Sequence, residues 1–355
     1  MKSIKTIVLK VDPHRPEPEK IRIAAEVLNN GGLVAFPTET VYGLGANALD
    51  EKAVLRIFEA KNRPADNPII VHIANRDDIY VLSEQVSQIA EELIDEFWPG
   101  PLTLLFAKSD AVPNQVTAGL ATVAIRMPSH FIANALISEA GVPVAAPSAN
   151  IAGKPSPTSA KHVLDDLLGR IEILIDGGEV GYGVESTVLD LTTDPPAVLR
   201  PGPITVEELR KFAGEVEVHP IARADVPIEV AIARSPGMKY RHYAPAADVV
   251  VVEGPVESMA EKVQELVDAQ RRLGKKVGVM AMEETAPRYR ADVVKVVGSR
   301  LDPRMVAKNL FKVFREFDSE DVKFVAAESL EPRGIGLAVM NRLRKAAGYN
   351  IVHVE

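Results

Sequence analysis

Apolar residues recur along this chain in two rhythms, and the switches between them predict its elements. In "KIRIAAEVLNN", Ile21, Ala24, Ala25 and Leu28 share one helical face, and the glycines that follow end the helix. "LVAF" reads as a buried strand stopped at Pro37. "DEKAVLRIFEA" opens at a capping Asp50 and aligns Val54, Ile57 and Phe58. Strand patterns follow at "PIIVHIA", "LTLLFA", "TVAIRM", "VPVAA", "IEILIDGG", "STVLDLT" and "AVLRPG". Helical patterns lie among them at "SQIAEELIDEFW", "HFIANALISEA" and "SAKHVLDDLL". This mixture predicts an α/β domain over residues 1–212. Several strands succeed one another with no helix between, so its sheet should be mixed. Helical periodicity vanishes after Gly214, and residues 213–245 read as an interdomain linker rich in turn, aromatic and basic residues. Over residues 246–355 strands and helices alternate again, as in a small Rossmann-like α/β domain.

A length of 355 residues suits two domains, each with its own core. The net charge of -8 argues against a protein that coats nucleic acid, but leaves room for one local basic groove. The chain has no cysteine, which removes disulfides, thiolate zinc sites and a cysteine nucleophile. The first residues lack the apolar core of a signal peptide, and no stretch approaches the roughly 20 apolar residues of a membrane span. A cytosolic protein with no membrane partner is expected.

Candidate chemistry sits at strand ends. In "KNRPADNPIIVHIA", Pro64 forces Arg63 out of the helix; were Lys61 extended as well, the two cations would point to one side. Two cations aimed at one spot suit a polyphosphate, although a solvated helix end also favours them. "VPVAAPSANIAGKPSPTSA" places Ser148, Asn150, Ser156 and Thr158 between a buried strand and a helix. That is a phosphate-type nest or merely a capped, rigid connection. In "AFPTETVYGLGAN", Thr38, Glu39, Thr40 and Tyr42 read as a loop after the strand, with Gly43 and Gly45 admitting close backbone approach. Arg126 interrupts an apolar strand and needs an anionic partner if it points inward. His72 alone reads as a core histidine, Arg200 ends a strand, and Glu185, Ser186 and Thr187 at a strand start could simply be caps. No Walker loop, nucleophile elbow or metal-ligand spacing occurs. Magnesium could still arrive on a nucleotide, because it needs few protein ligands.

Taken together, "KNR", "SAN" and "AFPTETVYGLGANA" resemble the motifs of the YrdC-like family, and the linker "SPGMKYRHYAP" with the further domain resembles its two-domain threonylcarbamoyl-AMP synthases. The resemblance implies a YrdC-like domain with a twisted mixed sheet around a concave basic cavity. It implies a nucleotidyltransferase that uses ATP, L-threonine and bicarbonate, with Mg2+ carried by ATP and no protein-held metal. The product, threonylcarbamoyl-AMP, would be handed to a tRNA threonylcarbamoyl transferase complex. Lys61 and Arg63 would be the catalytic cations on the ATP phosphates. Asn67, Thr117, Ser148, Asn150, Ser156, Arg200 and a linker residue, Tyr243, would complete the ATP site. Thr38, His72, Arg126 and Ser186 would surround threonine, with Arg126 on its carboxylate. Two other readings share the basic concavity. One is a regulatory protein that binds double-stranded RNA by shape, weak RNA binding being also a possible partner interaction of the synthase itself. The other is a YrdC-like enzyme making carbamoyl adenylate.

Overall fold

The computed structural model of the protein describes residues 4–227, 233–236, 238 and 243–355. Its first sheet is built from β1 (Ile7–Lys10), β2 (Val34–Pro37), β3 (Tyr42–Asn47), β4 (Val71–His72), β5 (Leu102–Ala107), β6 (Thr122–Arg126), β7 (Val144–Ala145), β8 (Ile173–Asp176), β9 (Thr187–Asp190), β10 (Ala197–Arg200) and β11 (Glu217–Val218). They lie in the order β1-β8-β2-β3-β7-β4-β6-β5-β9-β10-β11, mixing parallel and antiparallel pairs as expected. Helices Glu51–Lys61, Gln88–Phe97, Ala160–Leu167 and Val206–Ala213 pack their apolar stripes on one face. Helices Pro18–Asn29 and Phe131–Ala140 cover part of the other through Ile21, Leu28, Ile132 and Leu136.

The second sheet contains β12 (Asp248–Glu253), β13 (Val277–Met282), β14 (Val293–Gly298), β15 (Phe324–Glu328) and β16 (Ile351–His353). All pair in parallel, in the order β14-β13-β15-β12-β16. Helix Val256–Arg272 packs on one face, and helices Pro303–Ser319 and Ile335–Ala346 on the other. That second face also buries Val41, Val184 and Tyr243, so the two α/β units share an apolar seam. Among the described residues no helix is long and apolar enough to cross a membrane.

Two expectations change. The stretch expected as a loop after β2 turns back at once as β3, antiparallel to it, with Phe36 opposite Gly43 and Pro37 opposite Tyr42. Glycine there serves packing within a sheet: a Cβ on Gly45 would lie 2.8 Å from both Phe36 and Val144 side chains. The expected linker 213–245 begins with structure belonging to the first sheet. β11 pairs in parallel with β10, and a short helix, Pro220–Arg223, follows it. A two-residue strand is too brief for alternation to reveal. Further on, Ala233 and Met238 lie against Ile70, Leu105, Ala124 and Val188, and Arg234 ion-pairs with Asp190. Residues 228–232, 237 and 239–242 of that stretch are outside the described set.

Candidate active site

Period-two alternation decides which side chains reach the site. Val71, Leu102, Leu104, Ile125 and Leu189 point into the main core. Their neighbours His72, Thr103 and Arg126 therefore stand on the opposite face, as does Ser186 two positions before Val188, beside the patch formed by Ile70, Leu105, Ala124 and Val188. A register shift between Val198 and Arg200 in β10 adds the buried Arg200 to this group. Arg200 donates from Nε to the Ser186 carbonyl and from Nη2 to Ser186 Oγ, both at 3.0 Å. Ser186 Oγ lies 2.8 Å from Thr103 Oγ1.

Arg126 donates to the Gly100 carbonyl at 3.2 Å and to Thr40 Oγ1 at 3.0 Å. It also ion-pairs with Glu39 at 2.7 Å. Thr38 Oγ1 lies 2.9 Å from Thr40 Oγ1 and donates to the Val41 carbonyl, so the turn between β2 and β3 holds itself in place. Burial, and then the neighbouring Arg126, push His72 down to about 3, leaving a neutral imidazole at ordinary pH. Burial likewise lowers Arg200 to about 10.

The "KNR" stretch behaves differently from a pair of extended cations. Helix Glu51–Lys61, capped by Asp50, ends on Asn62 at φ 51, so Lys61 is its last helical residue. Lys61 Nζ is buried and donates to the carbonyls of Ser148 at 2.5 Å and Asn150 at 2.6 Å. Burial, followed by the charge of Arg63, pushes it well below the usual lysine range. Arg63 Nη2 donates to the carbonyls of Asn67 and Pro68 at 3.2 and 3.1 Å. The "SAN" stretch is zipped to β3, with Leu44 N on the Pro147 carbonyl and Ala149 N on the Tyr42 carbonyl, each at 2.8 Å. That pairing fixes where Ser148 points.

A single cavity collects these groups. All four residues expected around threonine, Thr38, His72, Arg126 and Ser186, line it. Of those expected on ATP, Arg63, Ser148, Arg200 and Tyr243 line it, and Lys61, Asn67, Thr117, Asn150 and Ser156 do not. Ser156 stands one step behind, donating to Glu185 Oε1 at 2.5 Å. Asn150 turns its amide nitrogen to the Ile151 and Lys154 carbonyls. Asn67 and Thr117 are buried, and among the described residues their side-chain polar atoms find no hydrogen-bond partner. Among the described residues no group of three His, Asp or Glu side chains is placed to hold a metal ion. The carboxylate on the cavity wall is Glu185, already shared between Ser156 and Arg342. That donor set fits a magnesium held mainly by phosphate oxygens and water.

Two family profiles match the chain: "Telomere recombination", of the YrdC type, over residues 26–202, and "Threonylcarbamoyl-AMP synthase, C-terminal domain" over residues 204–348. The threonylcarbamoyl-AMP synthase of Pyrococcus abyssi is 54% identical over 98% of this chain and 100% of its own length. That of Bacillus subtilis is 48% identical over 99% of this chain and 100% of its own. The crystal structure of P. abyssi Sua5 complexed with L-threonine superposes with a TM-score of 0.93 at 54% identity, covering 98% of this chain and 100% of that one. The chain belongs to the threonylcarbamoyl-AMP synthase family.

Within this family framework, several groups that build the site had been given no role in it by sequence reasoning. Glu39 and Thr40 hold Arg126, and Thr103 holds Ser186. Glu185, read as a cap, is a buried cavity wall. Burial raises its carboxyl, but Arg342 and Arg200 outweigh that and leave it below the usual range. Arg342, from the second sheet's helix Ile335–Ala346, left no local signal. Arg342 stands one turn before the basic end of its helix, Arg344 and Lys345, where arginines ordinarily face solvent.

Proposed function

We propose that this chain joins ATP, L-threonine and bicarbonate into threonylcarbamoyl-AMP, releasing pyrophosphate, as a nucleotidyltransferase. The observation that carries the reading is one cavity combining a buried arginine fork beside a neutral histidine with a second buried arginine, Arg200, the half-buried Arg63 and buried hydroxyls. Arg126, steadied by Glu39 and Thr40, takes the threonine carboxylate, while Thr38, His72 and Ser186 bound the rest of the amino acid. Arg63, Arg200, Ser148 and Tyr243 face the nucleotide. Lys61 supports that side by fixing the Ser148 and Asn150 carbonyls.

The chemistry needs no covalent nucleophile. Threonine's amine adds to bicarbonate-derived carbon dioxide, its proton leaving to water, and gives N-carboxythreonine. An oxygen of that carboxylate bonds to the α-phosphorus of ATP as the bond to pyrophosphate breaks. The chain contributes by positioning the reactants and dispersing phosphate charge. Magnesium, brought by the nucleotide, neutralises part of that charge. The mixed anhydride is an activated carbamoyl donor, so a separate transferase must carry the group to a tRNA adenosine.

The test is pyrophosphate release from purified protein with ATP and magnesium, with and without bicarbonate, comparing L-threonine, L-serine and no amino acid. Release that requires both bicarbonate and L-threonine is expected. Folded protein with no threonine-dependent release would overturn the reading.

A further inference from the structure

Helix Ile335–Ala346 belongs to the second sheet, yet its polar residues Asn341, Arg342 and Arg344 are buried among groups of the first. Asn341 donates to the Ile221 and Ala222 carbonyls, and Arg344 to the Arg223 carbonyl. Arg342 is the residue that reaches the cavity wall. Fully buried, it donates from Nε to Glu185 Oε2 at 3.1 Å and from Nη1 to the Pro201 carbonyl. Its guanidinium carbon lies 5.8 Å from the centre of the Tyr243 ring. That ring stacks at 5.2 Å on Phe311, from helix Pro303–Ser319. Glu185 and Tyr243 both line the cavity, and Glu185 accepts from Ser156.

We propose that Arg342 is a positioning residue for the nucleotide side of the cavity, fixing Glu185, and through it Ser156, together with the ring of Tyr243. The second domain is then a working part of the active site. This rests on the synthase reading given above. The competing account is that Arg342 merely joins two domains. A buried ion pair is a poor device for that purpose, since apolar residues of similar volume would serve as well or better. The seam already has them in Val41 and Val184. It also has other pairs, Arg315 with Asp166 and Arg344 with Asp225, whose members do not line the cavity. Arg342, by contrast, touches two residues that do.

The groups facing Glu185 set the pH behaviour. Arg342 and Lys345 approach from the second domain, Arg200 from β10, Lys61 from the helix before "NR", and Ser156 and Tyr243 from loops. Removing Arg342 takes away the strongest influence holding Glu185 ionised against its burial.

The experiment uses the full chain and compares Arg342→Met, Arg342→Lys, Glu185→Gln with Arg342→Met, and Arg344→Met as the seam control. ATP affinity is measured by calorimetry, independently of turnover, alongside KM for ATP and threonine and the pH profile of pyrophosphate release. Arg342→Met should weaken ATP binding about 10- to 100-fold, as expected for loss of a buried, charge-assisted contact network, and leave KM for threonine within about threefold. Its activity should also acquire an acid limb at higher pH than the parent, which the double variant lacks. Arg344→Met should leave both KM values in place. Folded Arg342→Met with parental ATP affinity and pH profile, or behaviour matching that of Arg344→Met, would overturn the proposal. If Arg342→Met does not fold, Arg342→Lys, which keeps the charge and loses the fork, is read against the same criteria. A parent protein that binds ATP but shows no threonine-dependent release would instead remove the synthase reading, leaving the calorimetric comparison to judge Arg342.

Discussion

Arg126→Lys isolates the fork that the threonine assignment depends on. The guanidinium is buried, held in plane by the Gly100 carbonyl and Thr40, and paired with Glu39. Lysine keeps the charge, so Glu39 is not stranded. Methionine would strand it and cost about 3–5 kcal/mol of stability. What lysine loses is the second of two parallel bonds to a carboxylate. A hydrogen bond to a charged group contributes about 1.5–3 kcal/mol, which converts to roughly 10- to 150-fold in affinity. Because the carboxylate is not the reacting group, its contact is the same in ground and transition states, so the loss should fall on KM for threonine and not on kcat. The assay is initial-rate pyrophosphate release against threonine at saturating ATP, with a melting curve to confirm the fold. A KM for threonine within twofold of the parent, or a rise confined to KM for ATP, would refute the assignment.

Two further outcomes follow from burial and backbone geometry. The folded pKa of His72, about 3, lies far below its ordinary value of 6.5, so the stability it contributes is complete above pH 6.5 and drains away as pH falls toward 3. His72→Gln should therefore flatten the acid side of the melting-temperature profile in that window; parallel profiles would count against a buried neutral imidazole. Gly183 sits at φ +74 where a Cβ would overlap the Lys308 carbonyl of helix Pro303–Ser319. Gly183→Ala should cost about 1–3 kcal/mol and lower the melting temperature by several degrees, and an unchanged melting curve would mean the loop does not approach that helix so closely.

The parts that the sequence made legible were those governed by local periodicity. Ile21, Leu28, Val54 and Ile57 fall on the buried faces expected of them, and the mixed sheet follows from strands lacking intervening helices. Motif order brought Thr38, Arg63, His72, Arg126, Ser148 and Ser186 to one cavity. Side-chain direction was legible only inside regular elements. The i, i+2 argument for Lys61 and Arg63 required both to be extended, and Lys61 is still helical. β3 was hidden because its tight turn and glycines look like a loop until Phe36 and Val144 are known to press on it. Arg342 could not be found by any local rule, since its partner Glu185 is 157 positions away and its burial arises where its helix meets the connections carrying Glu185 and Pro201.

The way this protein buries positive charge explains how a chain of net charge -8 can present a cationic cavity. Arg63 is held by the carbonyls of Asn67 and Pro68, Arg126 by that of Gly100, Arg200 by that of Ser186, and Lys61, behind the cavity wall, by those of Ser148 and Asn150. A carbonyl dipole satisfies and orients a donor without cancelling its charge, whereas a carboxylate would do both. Of the carboxylates beside these cations, Glu39 and Glu185 are each paired with an arginine, Arg126 and Arg342. The carbonyls that hold these cations lie in the connections next to β4, β5, β7 and β9, so their direction is set by where those strands begin and end. Such dipoles need no reorganisation when charge shifts on a bound phosphate, which is the condition under which electrostatic stabilisation acts most strongly. The strand ends thus do two things at once: they cap the sheet and aim the cations.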